Sequence, residues 1–195
     1  MPYQAILFDA DGMVVKKKMF SAEVEKDYGI TWAKMEPFFK GVFEDCKLGK
    51  ADLKEELGKV IADWGWQGTV QELMDYWFKV GSEVDSQVAE LIRELRVQGT
   101  KCYLTSNNEK YRAQYFRDRM GFNELFDGLF FSSEIGYMKH EPEFFEYVLN
   151  TIGPIEKDQV LFVDDDEENI GVAKEFGLST HFYQDFKTFE KIARQ

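Results

Sequence analysis

The sequence predicts an α/β fold, a doubly wound parallel sheet with a small helical insert after its first strand. Three observations carry this. Short apolar runs rich in branched and aromatic residues alternate with longer helical patterns, as parallel strands alternate with their crossover helices. The helical patterns between the strands close near glycines, at Gly99, Gly121, Gly153 and Gly177. The span from about 17 to 81 holds no strand pattern and is far too long for a single crossover.

The elements follow in order. A buried strand is expected over residues 5–8, where Ala-Ile-Leu-Phe has no polar member. The insert reads as helical. Apolar spacing runs through Phe38, Phe39, Val42 and Phe43, and an Asp52-x-x-Glu55 start resembling a capping box opens a second pattern through Leu53, Leu57, Val60, Ile61 and Trp64. A further helix is expected over 70–80. Helices at 84–97, 109–120, 142–152 and 167–176 then alternate with strands at 101–105, 128–132, 160–163 and 179–183.

A chain of 195 residues, 44% hydrophobic and 16% aromatic, can bury one ordinary core and still furnish a small accessory unit. Its formal net charge of -12, with no Lys/Arg block, argues against nucleic acid as a partner. The same acidity repels phosphate, so a phosphate site here needs a local cation or lysine. Cys46 and Cys102 are isolated from each other and read as buried small hydrophobes in a reducing compartment. Neither a leader pattern nor an apolar run of spanning length is present, so the expectation is a cytoplasmic protein without a membrane partner.

Four segments carry chemistry. Phe8-Asp9-Ala10-Asp11-Gly12 places two carboxylates at the carboxyl end of the first strand, where open α/β sheets form their crevices, and Gly12 frees the chain to turn. Alone, a D-x-D-G is equally an acidic turn. Leu104-Thr105-Ser106-Asn107-Asn108-Glu109 ends the second strand with a hydroxyl and backbone N–H groups before a helix, which suits an anion, although Ser106 or Asn107 could simply cap that helix. Lys139 follows the third strand and, by itself, reads as a solvated lysine. Val160-Leu161-Phe162-Val163 leads into Asp164-Asp165-Asp166. Two like charges about 4 Å apart cost about 4 kcal/mol at an effective dielectric of 20, so this cluster beside Asp9 calls for a cation.

In their order and spacing these four segments resemble the motif set of the haloacid dehalogenase superfamily, over nearly the whole chain. The resemblance implies a Rossmann-like core whose first strand is central, with the second and fourth beside it. It implies Asp9 as nucleophile and Asp11 as general acid and base. Ser106 and Lys139, with the backbone N–H groups of Ala10, Asp11 and Asn107, would bind the transferring phosphoryl group. Asp9, the carbonyl of Asp11, Asp164 and Asp165 would surround Mg²⁺, with Asp166 read as a helix-start residue instead of a ligand.

The dehalogenases that name the superfamily lack the second carboxylate, having no leaving group to protonate, so Asp11 points to phosphate chemistry. The insert occupies the place of the helical cap of one large subgroup. Residues 1–15 plus 84–195 are therefore expected to form the core and 16–83 the cap. The expected activity is magnesium-dependent hydrolysis of a small phosphomonoester, a sugar phosphate being the nearest resemblance. A phosphomutase using the same residues is one alternative, and a non-catalytic binding or regulatory module is another. His140 and His181 read as surface or loop histidines. Trp32, Trp64, Trp66 and Trp77 read as core of the insert, and Tyr137 and Met138 as packing residues.

Overall fold

The computed structural model describes residues 3–194; Met1, Pro2 and Gln195, which fall within the expected core ranges, lie outside the described residues. Five parallel strands, β1 (Ala5–Asp9), β2 (Lys101–Ser106), β3 (Gly128–Phe131), β4 (Val160–Asp164) and β5 (Ser179–Phe182), form one sheet in the order β3-β2-β1-β4-β5. The first strand is central and the second and fourth flank it, as the family resemblance implied.

Alternation along these strands feeds two cores. Ile6 and Phe8 of β1, with Leu161 and Val163 of β4, face one apolar cluster, and Ala5, Leu7, Val160 and Phe162 face the other. A strand buried on both faces has no position for a polar residue until it ends, which is why β1 reads as an unbroken apolar run. On the first face lie α6 (Ser86–Val97), α7 (Lys110–Arg119) and α12 (Phe186–Ala193), contributing Leu91, Ile92, Phe116 and Phe189. On the other lie α10 (Pro142–Ile152) and α11 (Glu167–Phe176), with Phe144, Phe145 and Ala173 buried. Two single-turn helices, α8 (Phe122–Leu125) and α9 (Ser132–Ile135), flank β3.

Between β1 and α6 the chain forms α1 (Phe20–Tyr28), α2 (Trp32–Phe39), α3 (Val42–Lys47), α4 (Leu53–Trp64) and α5 (Val70–Val80). They bury a third cluster of their own, including Val24, Met35, Phe38, Leu57, Ile61, Trp64 and Leu73. The single pattern expected through Phe38 and Phe43 is two helices, broken at Lys40 and Gly41. The expected capping box at Asp52 is half present: its carboxylate accepts from the N–H groups of Lys54 and Glu55, while the reciprocal box sits at Thr69 and Glu72. The segments entering and leaving this region run side by side, Lys16 N–H donating to Glu83 O at 2.8 Å and Asp85 N–H to Val14 O at 2.9 Å.

Several local expectations are corrected. Residues 84 and 85 stay outside α6, Val84 bridging to Val15 and Asp85 capping the helix. Tyr137, expected to pack, is exposed, while Met138 is buried. His181 is neither loop nor surface: it lies in β5, half-buried against the Phe189 ring, and burial lowers its pKa. Cys46 and Cys102 are buried and free, as expected. Among the described residues, no helix is long and apolar enough to cross a membrane.

Candidate active site

Three strand ends deliver the polar side chains. Asp9 is the last residue of β1, Ser106 of β2 and Asp164 of β4, and all three are buried. Because the strands are parallel neighbours, these ends lie on one edge of the sheet, the crevice side of an open α/β fold. Beyond Asp9 the chain turns at once: Gly12 N–H donates to Val15 O at 2.8 Å and Val15 N–H to Ala10 O at 2.7 Å. Gly12 has φ 112°, a conformation that favours glycine, and a Cβ there would fall too close to Asp165 Oδ2 unless that side chain moved.

Lys139 comes from the turn before α10 and is 3% exposed, far from the solvated lysine that its position alone suggested. Its backbone is pinned by donation from Lys139 N–H to Asn107 Oδ1 at 3.0 Å. Its ammonium donates to Asp9 Oδ1 and, at 2.6 Å, to Asp164 Oδ2. Asn169 Nδ2 also donates to Asp164 Oδ2, at 3.2 Å, and the Asp166 N–H to Asp164 Oδ1 at 2.9 Å. Burial pushes the Asp9 carboxyl up to about 8; Lys139 pulls against this and Asp164 adds to it. Burial also works against the charge on Lys139, yet Asp9 and Asp164 outweigh it and the lysine is raised. Asp9 is thus raised in spite of its lysine, chiefly by burial and further by Asp164; two buried carboxylates share one ammonium, so the site is short of positive charge.

Asp165 is held differently, by the exposed Lys17, whose Nζ lies 2.8 Å from Asp165 Oδ2. One carboxylate oxygen from each of Asp9, Asp164 and Asp165 lies within 4.8 Å of the other two. An octahedral Mg²⁺ with oxygens at about 2.1 Å sets adjacent ligands about 3 Å apart and opposite ones about 4 Å apart, so small side-chain rotations suffice. All three donors are hard oxygens, and the charge shortfall has the sign that a cation corrects. The residues present fit Mg²⁺. Asp166 caps α11 instead, accepting from Glu168 and Asn169 N–H groups.

Asp11 sits at the rim, its side chain 47% exposed. Asn108 Nδ2 donates to Asp11 Oδ2 at 2.8 Å and to Ser106 Oγ at 2.7 Å, and Arg112 Nη2 lies 3.3 Å from Asp11 Oδ1. The anion-binding helix start expected after Ser106 is modified. Glu109 is the N-cap of α7 and its carboxylate takes the Tyr111 and Arg112 N–H groups, so a first turn that could have met phosphate is already satisfied. Neither Ser106 nor Asn107 caps that helix.

Two adjoining cavities result. One, of about 170 Å³, is lined by Asp9, Asp11, Ser106, Asn107, Lys139, Asp164 and Asp165, bringing together every side chain expected in the site. The other, of about 260 Å³, shares Asp11, Asn107 and Asn108 and opens towards Phe20, Phe43 and Trp77 of the inserted helices. Trp77 therefore faces a cavity as well as packing, stacked at 5.0 Å on Phe20. Sequence reasoning missed Lys17, Asn108, Arg112 and Asn169. The tandem Asn107-Asn108 and the position of Asn169 one turn beyond Asp165 were available signals; nothing local marked Arg112 or Lys17.

The chain is similar to known proteins in sequence and in fold. The chain is 26% identical over 186 residues, 90% of this chain and 89% of the other, to a D-ribitol-5-phosphate phosphatase of Bacteroides thetaiotaomicron. A sesquiterpene phosphatase, AstK, of Aspergillus oryzae is 34% identical over 94 residues, covering 48% of this chain and 47% of the other. Among solved structures, a haloacid dehalogenase family enzyme from Bacteroides thetaiotaomicron in complex with magnesium and inorganic phosphate superposes with a TM-score of 0.80 at 23% identity, covering 96% of this chain and 98% of that one. The model of the haloacid dehalogenase-like hydrolases matches residues 3–177, spanning β1 to the end of α11 and with it the whole convergence of carboxylates around Lys139; the chain belongs to that family.

Proposed function

We propose that the chain is a magnesium-dependent phosphatase acting on a small phosphomonoester through an aspartyl phosphate on Asp9. The observation that carries this reading is the buried Lys139 between Asp9 and Asp164, with Asp165 and its partner Lys17 alongside: three carboxylates against two ammonium groups, one positive charge short, opening onto a cavity. Phosphoryl transfer to an anionic nucleophile needs that charge offset and the reacting atoms held in line. Asp9, Asp164, Asp165 and the Asp11 carbonyl would hold Mg²⁺, which would supply that offset.

The protein's own groups do the rest. Lys139 and Ser106, with the N–H groups of Ala10, Asp11 and Asn107, bind the phosphoryl oxygens. An Asp9 carboxylate oxygen bonds to phosphorus as the ester P–O bond breaks, and Asp11 gives its proton to the departing oxygen. Water then bonds to phosphorus, returns a proton to Asp11, and the Asp9–phosphorus bond breaks. The balance is phosphomonoester plus water to alcohol plus phosphate.

Residues 16–83 act as the cap over the leaving group, a reading supported by their separate apolar cluster and the paired segments that join them to the core. The leaving group occupies the 260 Å³ cavity, a volume suited to a small metabolite. The ribitol phosphate relative favours a sugar or polyol phosphate. Location in the cytoplasm, supported by two buried free thiols, completes the reading.

The test is phosphate release from a panel of phosphomonoesters with Mg²⁺, repeated after exhaustive chelation and with Asp9→Asn. Hydrolysis lost in both controls is expected. Accumulation of an isomeric sugar phosphate would favour a mutase, and an inert wild type across the panel would favour a binding module.

A further inference from the structure

Arg112 is the third residue of α7, on the helix face that also carries Ala113 and Phe116, and all three are buried. An arginine is rarely buried without acceptors to compensate. Here the acceptors come from two separate places. Nη1 donates to Phe78 O at 2.9 Å and Nη2 to Gly81 O, both carbonyls at the end of α5. Nη2 also donates to Asp11 Oδ1 at 3.3 Å, while the guanidinium carbon lies 4.4 Å from the centre of the Phe116 ring.

The two carbonyls account for Arg112 as an end-cap for α5, whose last C=O groups have no partners within the helix. They do not account for Asp11. With Asn108 on the other oxygen, both oxygens of a half-exposed carboxylate are fixed by donors four residues apart, one on the β2–α7 connection and one in the first turn of α7. Otherwise Asp11, beyond the end of its strand and at the cavity rim, would be free to swing.

We infer that Arg112 is a positioning residue that ties the Asp11 carboxylate to the last turn of α5, so that Asp11 is aimed at the departing oxygen only while that turn is seated on the core. This rests on the proposed role of Asp11 as acid and base. Proton transfer works over about 2.6–3.2 Å between heavy atoms, and a displacement of about 1 Å can cost about 100-fold. A guanidinium can hold a carbonyl and a carboxylate at once in a fixed plane; an ammonium on a flexible stem cannot.

The leaving group separates this role from a merely structural one. An alkyl phosphate needs its departing oxygen protonated, and an aryl phosphate with an acidic phenol does not. With Mg²⁺ present, kcat and KM are measured on both substrates for wild type, Arg112→Met, Arg112→Lys and Gly81→Ala, beside melting temperatures. Gly81 has a negative φ, and a Cβ there would lie 3.0 Å from Arg112 Nη2, so the alanine presses on the guanidinium and shifts it slightly without changing any charge. The expected result is a fall in kcat on the alkyl substrate at least about 10-fold greater than on the aryl one for Arg112→Met, with KM little changed, Arg112→Lys intermediate, and a smaller selectivity of the same sign in Gly81→Ala. Should Arg112→Met fail to fold, Gly81→Ala and Arg112→Lys decide. Equal losses on both substrates in every folded variant would overturn the inference and leave the phosphatase reading intact. A wild type that releases phosphate from neither would remove the role of Asp11, and this inference with it.

Discussion

Lys139 Nζ lies 2.6 Å from Asp164 Oδ2, with the two side chains only 3% and 1% exposed, and the same ammonium reaches Asp9. Neither carboxylate has solvent to fall back on. Removing one partner from a buried ion cluster costs about 3–5 kcal/mol, because the charge left behind is uncompensated. Lys139→Met should therefore lose turnover, and it should also lower the melting temperature in chelator. A cation can replace part of the missing charge, so Mg²⁺ should raise the melting temperature of the variant more than that of wild type. Equal shifts in thermal melts with and without Mg²⁺ would count against the charge deficit.

Gly12→Ala tests how tightly the turn after Asp9 is fitted to Asp165. A non-glycine residue at φ 112° is strained by about 1–3 kcal/mol, and its Cβ would crowd Asp165 Oδ2. Asp165 must move. Activity at saturating Mg²⁺ should survive in part, while the Mg²⁺ concentration for half-maximal rate rises about 10-fold or more. An unchanged Mg²⁺ titration curve would show that Asp165 is not a ligand.

The buried cap of α7 gives a pH signature. Burial pushes Glu109 up to about 7, against the N–H groups of Tyr111 and Arg112 and the Arg112 charge, which pull it down. A carboxyl raised in the folded state binds its proton more tightly there than in the unfolded chain. Its contribution is therefore complete below the unfolded value near 4.5 and is lost as pH rises through about 7. The full shift corresponds to about 3 kcal/mol. Glu109→Gln keeps an acceptor for the helix N–H groups and cannot ionise. Urea unfolding from pH 4.5 to 7.5 should show wild type losing about 3 kcal/mol relative to this variant. A difference that stays constant across the range would mean that Glu109 is ionised throughout.

The sheet could be read in sequence because its inner strands are buried on both faces, and residues such as Ile6, Leu7 and Phe8 admit no polar interruption. The carboxylates were readable for the same reason: Asp9 and Asp164 are the first charges after such runs. The inserted helices were harder. Their boundaries depend on breaks such as that at Gly41, and the apolar spacing passes through it unchanged. Arg112 was invisible because its acceptors, Phe78 O, Gly81 O and Asp11, lie 31 to 101 residues away. Lys17 lies 148 residues from Asp165, and no local pattern records such a pairing.

Asp11→Asn separates the two tasks of the proposed acid and base. Asp11 is held by Asn108 at 2.8 Å, and an asparagine can keep one of its oxygen contacts, so the loop should stay in place. On an alkyl phosphate the departing oxygen is left without a proton, and formation of the aspartyl phosphate should nearly stop. An acidic phenol leaves without that help, so with an aryl phosphate the variant should still transfer phosphoryl to Asp9. The base that activates water is then missing and the phosphoenzyme should accumulate. A rapid-quench experiment should show a burst of phenol of about one equivalent per active site followed by slow turnover, with the phosphoryl label trapped on the protein. If the variant instead slows both substrates by one factor, without a burst and without trapped label, Asp11 serves the metal site or the turn at Gly12, and the acid and base must be sought elsewhere along the cavity rim.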